Sequence, residues 1–256
     1  MTNYNTARRS FAVLDIEVLS DRQAYATYAK LDPRAADLRW PFRRVCSASL
    51  LTFSVTEDGM FEFGHMDSYA DADEKAVITK LFNRLRELPD HVCVTWSGLS
   101  HDLPILRMSA AIHEIILPRQ LIHNARDHGR YRHLDLAVEL KAHGTYTHLS
   151  EIAVALNLPC KFGGSAGRVP VLVEQKRWSR LMELADSDVI VTGMVLCSHL
   201  CIHGALVSAT AAHITLLDEI GRRRREAKYH DYLVRVRARI ARRAMADAEA
   251  FIASAA

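Results

Sequence analysis

Residues 11–18, Phe-Ala-Val-Leu-Asp-Ile-Glu-Val, set two carboxylates inside an otherwise apolar run. Read as a strand, the side chains alternate, so Asp15 and Glu17 share one side while Leu14 and Ile16 share the other. Two like charges placed that close on a core element repel each other and resist desolvation. An edge strand with one solvated face accommodates Asp-x-Glu without any function. A strand inside the core does so only when the acids are paired or hold a cation.

The 256 residues suffice for one large domain with an appendage. Apolar residues at 49% and charged residues at 25% are ordinary for a soluble globular protein, which sets aside fibrous and disordered classes. Five cysteines (Cys46, Cys93, Cys160, Cys197, Cys201) form no Cys-x-x-Cys pair, so a reduced, cytoplasmic chain is expected. The opening MTNYNTARRS has no apolar segment, and no secretory signal is expected. Asp188 and Asp218 enclose a stretch without Asp, Glu, Lys or Arg. Ser198, His199 and His203 interrupt it, so a buried helix is expected there and no membrane association.

Charge is unevenly spread. Residues 213–256 carry ten Lys/Arg against six Asp/Glu, and the preceding 212 residues carry 23 against 24. Most of the excess lies in residues 221–243, GRRRREAKYHDYLVRVRARIARR, which reads as helix with Val234, Ile240 and Ala244 as a narrow apolar stripe. Such a helix is either solvated and packed by that stripe, or an arm that touches a phosphate backbone.

Residues 20–42 read as a loop or lid, with LDPR and RWPF as breakers. Residues 45–55 and 57–66 read as a hairpin turning at Asp58-Gly59. Residues 72–88 have helical period, with Ala76, Ile78, Leu81, Phe82 and Leu85 on one face. HVCVTWS (91–97) is a short strand leading into a helix at Asp102, and RHLDLAVEL (132–140) follows a loop. LSEIAVALNL (149–158) is a short amphipathic helix with Ser150 as its expected cap, and the chain is helical from Val171 onward. This order predicts a layered α/β fold.

Two further acids complete a pattern: Asp102 at a helix start after Ser97-Gly98, and Asp188 at the head of the apolar helix. Asp15, Glu17, Asp102 and Asp188 fall in the order of the carboxylates of DEDD 3′–5′ exonucleases. The chain resembles the bacterial predicted 3′–5′ exonucleases related to the exonuclease domain of family B DNA polymerases. WPFRRVCSASL, RHLDL and LSEIAVALNLPCKFGGSAGRV carry the likeness between residues 10 and 206.

The resemblance implies an RNase H-like mixed sheet flanked by helices over residues 1–212, followed by a basic helical extension over 213–256. It implies hydrolysis of nucleic acid from a 3′ end, DNA in preference to RNA, releasing nucleoside 5′-monophosphates. Single-stranded DNA or 3′ ends are the expected partners. Two divalent ions, Mg²⁺ or Mn²⁺, would share the four acids, with Asp15 bridging, Glu17 and Asp188 completing one site and Asp102 serving the other. Ser97, His101, Lys161 and Arg222, Arg223, Arg224 and Arg225 are the expected substrate contacts.

Three positions depart from the family pattern. A tyrosine commonly stands four residues before the last aspartate, and here the residue is Leu184; the related branch has a histidine five residues before, and here it is Glu183. Leucine neither positions water nor accepts a proton. Ser97 replaces a common asparagine, and His101 a common aromatic residue. The alternative is therefore a nucleic-acid-binding protein that keeps the fold with impaired catalysis. Cys197, His199, Cys201 and His203 at helical spacing are expected to be core rather than zinc ligands. Asp135 and Asp186 are the acids most easily mistaken for metal ligands.

Overall fold

A computed structural model describes residues 8–32, 39–122, 126–127, 130–141, 147–160 and 162–255. The chain begins with β1 (Arg9–Ser20), α1 (Arg22–Leu31), a 3₁₀ turn at Trp40–Phe42, β2 (Arg43–Val55) and β3 (Phe61–Ala70). It continues through α2 (Glu74–Arg86), β4 (His91–Thr95) and α3 (Asp102–His113). Two short strands, β5 (Arg126–Asp127) and β6 (Arg130–Tyr131), pair with each other, and β7 (His133–Asp135) leads into α4 (Leu136–Glu139). The remainder is helical: α5 (Leu149–Ala155), α6 (Val169–Glu174), α7 (Trp178–Ile202), α8 (Ala209–Arg223) and α9 (His230–Ala255).

The main sheet has the order β3-β2-β1-β4-β7, with β1 antiparallel to β2 and parallel to β4. The strand that holds Asp15 and Glu17 is thus the middle of five, and the edge-strand explanation of its acids falls. Its alternation feeds two separate cores. Ala12, Leu14 and Ile16 pack with Val77, Ile78, Leu81 and Phe82 of α2 and Leu103 and Leu106 of α3. Phe11 and Val13 pack on the opposite face with Val191, Met194 and Val195 of α7 and Leu216 of α8. A sheet covered on both faces needs apolar residues at both parities, and this strand supplies them until Asp15.

The hairpin turn forms where expected, between β2 and β3. Within residues 20–42, read as a loop or lid, the described residues form α1 and the Trp40–Phe42 turn. Asp21 accepts a hydrogen bond from the Ala24 N–H (2.9 Å) and starts α1. The cap expected at Ser150 lies one position into α5; the helix starts from His148, whose N–H donates to Glu151 (2.6 Å). The expected helix over 221–243 is two helices, since α8 ends at Arg223 and α9 begins at His230. The apolar stripe of α9 is also shifted: Leu233 and Val236 are buried and Ile240 packs beside them, while Val234 is exposed.

Most of the α7 part of the uncharged stretch is buried, as expected, while Ile202 at the end of that helix and Val207 beyond it are exposed. α7 is long and apolar enough to span a membrane by composition, yet most of it lies inside the helical layer. The boundary expected at residue 212 falls within α8, and Leu216, Leu217, Ile220, Tyr229, Leu233 and Val236 join the same core as β1.

Candidate metal and nucleic-acid site

Asp15 and Glu17 lie on the α7 side of β1, near its C-terminal end. Their local geometry is set by a bulge: Glu17 pairs with Ser47 and Val18 with Val45, leaving Cys46 as the extra residue of β2. Bulges sharpen twist and re-aim side chains at such places. The Cys46 thiol donates to the Glu17 carbonyl (3.3 Å), and burial, reinforced by the Glu17 charge, pushes it up to about 12.

Asp102 is the first residue of α3, and its carboxyl is buried. The loop that delivers it is unusual. Ser97 has φ +59, the left-handed region, and a Cβ on Gly98 would stand 2.2 Å from the Thr95 hydroxyl. Asp135 holds this loop in place: one oxygen accepts the Ser97 N–H and the other the Leu99 N–H, both at 2.9 Å. The same carboxylate caps α4 through the Ala137 N–H (3.1 Å). Asp135 is a positioning residue for Asp102, a role that its chain position does not advertise.

Asp188 comes from α7 and acts on all three other acids. It is the largest charge contribution raising Asp15 and Glu17, and it also raises Asp102. Desolvation is the first cause for each. Asp15 is raised well above its ordinary value by burial, then by Asp188, Asp102 and Glu17. Glu17 is raised to about 8 by burial, then Asp188 and Asp102. Asp102 is raised to about 7 by burial, then Asp135 and Asp188. Among the described residues, no donor is hydrogen-bonded to the Asp15, Glu17 or Asp102 carboxylates.

The four sequence-predicted acids are thus brought into one electrostatic unit. Among the described residues no three His, Cys, Asp or Glu side chains are gathered tightly enough to hold an ion as they stand. The donor set nevertheless suits one kind of group, because hard carboxylate oxygens favour Mg²⁺ or Mn²⁺ over thiophilic metals.

The other expected contacts divide. Ser97 and His101 stand beside Asp102, but Ser97 serves the loop through its carbonyl, which the Ser100 and His101 N–H groups both reach (3.2 Å). His101 is exposed, with Nδ1 3.0 Å from the Ser100 hydroxyl. Lys161 lies outside the described residues. Arg222 and Arg223 pair with Glu219 on their own helix, and Arg223 also covers the Phe63 ring at 4.8 Å. Arg224 donates to the Met66 carbonyl (3.1 Å) and the Ser68 hydroxyl (2.8 Å). Three of the four arginines are therefore engaged by the fold, and Arg225 is exposed.

Leu184 is buried in an apolar cluster with Cys46, Val169, Leu172 and Leu181. The loop over it is pressed close: a Cβ on Gly163 would stand 2.3 Å from the Glu183 carbonyl. Glu183 faces elsewhere, accepting the Lys228 N–H (3.1 Å) and pairing with Arg180. Asp186 is spent on structure, accepting from Ser49 (2.6 Å), Ser68 (2.5 Å) and Tyr229 (2.9 Å). Cys197 is buried core, and the His199 and His203 rings stack edge-on with centroids 4.4 Å apart.

A family model described as a predicted 3′–5′ exonuclease related to the exonuclease domain of PolB matches residues 36–236. The fold matches the family B DNA polymerase of the hyperthermophilic archaeon Pyrobaculum calidifontis, with a TM-score of 0.53 and 17% identity over 80% of this chain. The chain spans 26% of that polymerase. Exonuclease I in a product-bound structure is a more distant likeness, with a TM-score of 0.39 and 10% identity over 76% of this chain and 43% of its own. No curated protein matches the chain.

Proposed function

The chain belongs to the family of predicted 3′–5′ exonucleases related to the exonuclease domain of PolB, and from that premise we propose that it removes nucleoside 5′-monophosphates from the 3′ ends of nucleic acid. DNA is the favoured substrate, single strands or frayed 3′ ends the favoured form, and the cytoplasm the compartment. The observation that carries this reading is the convergence of Asp15, Glu17, Asp102 and Asp188 on one electrostatic unit, with Glu17 and Asp102 buried and, among the described residues, no donor hydrogen-bonded to the first three.

Burying like charges is costly unless something neutralises them. Burial, then the neighbouring acids, raise Glu17 to about 8 and Asp102 to about 7, which favours the neutral form of each. Two divalent ions, when bound, would supply the missing positive charge and stabilise the negative charge that gathers on a phosphodiester in displacement. Asp15 and Glu17 would hold them from the middle strand, Asp188 from α7 and Asp102 from α3. Asp135 would keep Asp102 aimed by fixing the 97–99 loop.

A second reading rests on Leu184. Its side chain sits in an apolar cluster where it offers no acceptor for a nucleophile's proton. A protein with this residue would bind nucleic acid with slow or absent turnover. The two readings separate on a single-stranded oligonucleotide with free or blocked 3′ end, given Mg²⁺ and then Mn²⁺. Stepwise shortening of the free strand alone, lost in Asp15→Asn, supports the exonuclease. Binding without shortening supports the second reading.

A further inference from the structure

None of the ten residues of α1 is buried, although the helix directly follows the strand that bears Asp15 and Glu17. The Asp21 N–H donates to the Phe42 carbonyl (2.6 Å), so α1 and the Trp40–Phe42 turn are stitched together at the end of β1. At a strand rise of about 3.3 Å per residue, that junction lies within about 13 Å of Glu17.

The junction is aromatic. The Phe42 ring lies 5.6 Å from Tyr25 and 5.4 Å from Tyr28, and the two tyrosines are 6.5 Å apart. Tyr28 and Trp40 are exposed at 36% and 41%, well beyond what a core aromatic shows. Around the rings stand exposed Arg22, Lys30 and Arg39 and half-exposed Arg43. The described acids of the junction, Asp21 and Asp32, are already occupied. Asp21 caps α1 and pairs with Arg44 (3.3 Å), and Asp32 accepts from the Tyr28 hydroxyl (3.4 Å). Arg44 in turn donates to the carbonyls of Pro41 and Arg43 (both 3.0 Å), which stiffens the turn.

Exposed aromatic rings alone would suit a protein partner. A basic rim and a position at the end of the strand that carries Asp15 and Glu17 suit a polyanion with flat faces. Base stacking on aromatic side chains, flanked by cations that follow the backbone, is how single strands are held without sequence preference. We propose that α1 and the Trp40–Phe42 turn form a stacking platform for the bases of single-stranded nucleic acid entering the carboxylate site. This deepens the exonuclease reading and rests on it for the direction of entry.

The test uses full-length protein and a single-stranded oligonucleotide with 2-aminopurine near its 3′ end. Binding is measured in an Asp15→Asn background with Mg²⁺, so that no strand is consumed. Stacking quenches the probe. Replacing Tyr28 and Trp40 together by leucine keeps the surface apolar, and is expected to weaken binding about 10-fold and abolish the quench. Tyr28→Phe, which keeps the ring, is expected to retain both. With Asp15 intact, turnover of the p-nitrophenyl ester of thymidine 5′-monophosphate, which has no upstream bases, is expected to be equal in wild type and the leucine variant. Undiminished binding and quench in the leucine variant overturns the platform and leaves the patch as packing or a protein-docking surface. If wild-type protein hydrolyses neither ester nor oligonucleotide, the exonuclease reading fails, and the quench comparison still decides the platform.

Discussion

Two aspartates two residues apart on α7 meet opposite fates. Asp186 is surrounded by hydroxyls from Ser49, Ser68 and Tyr229, which tie β2, β3 and the segment before α9 to one carboxylate. Asp188 instead faces Asp15, Glu17 and Asp102, and each of those is raised by its charge. Burial alone does not separate an acid of the scaffold from one of the candidate site, since Asp186 and Asp102 are both buried. The company of the carboxylate does. Donors tie Asp186 into the scaffold, whereas the neighbouring acids group Asp188 with the candidate site.

The largest expected effect follows from breaking the second environment. Asp188→Asn should reduce metal-dependent nucleotide release by about 10³-fold, the order expected when several kcal/mol of charge stabilisation is lost. Because a like charge is removed, its thermal midpoint in EDTA should not fall. A variant that unfolds would place Asp188 in the scaffold beside Asp186.

Breaking the first environment should do the reverse. Asp186→Ala leaves three hydroxyls without their acceptor, so urea unfolding should show a loss of about 2–4 kcal/mol, with activity per folded molecule largely kept. Equal stability to wild type would mean the three hydroxyls find other partners.

pH sharpens the contrast. Glu17 is raised from 4.5 to about 8 and Asp102 from 3.8 to about 7, so the folded state holds protons that the unfolded state releases. Their contribution is present below the unfolded values and is lost as pH rises through the folded ones. Stability in EDTA should therefore decline between about pH 4.5 and 8, and the decline should flatten in Asp15→Asn. Thermal melts across that range, with and without Mg²⁺, would show it. A rise over the same window would contradict the like-charge account.

The smallest expected effect lies in the loop that aims Asp102. Ser97 at φ +59 pays for its left-handed backbone, which asparagine tolerates better. Ser97→Asn should gain about 0.5–1 kcal/mol in chemical denaturation. A loss would show that the serine side chain itself holds the loop.

The layered fold and the shared side of Asp15 and Glu17 were legible in short-range pattern, whereas Asp102 and Asp188 entered through the family resemblance. Alternation fixes which side of β1 carries Asp15 and Glu17, and helical period marks α2 and α7. The middle position of β1 was not legible, since strand order depends on contacts remote in sequence. Nor was Asp135, which reaches the 97–99 loop from almost forty residues away. The arginines at 222–225 show the opposite limit. Their clustering suggests a phosphate contact, yet Glu219 one turn earlier on the same helix pairs with Arg222 and Arg223, and the edge of β3, brought there by tertiary packing, engages Arg224. α1 was hidden by the breakers around it, although Asp21 three residues before Ala24 is a cap signal.

The most direct measurement is a Mn²⁺ titration followed by electron paramagnetic resonance on wild type, Asp15→Asn and Asp186→Asn. Two bound ions per chain in wild type and Asp186→Asn, with marked loss in Asp15→Asn, is the result this account predicts. No bound Mn²⁺ in folded wild-type protein, or undiminished binding in Asp15→Asn, would contradict it.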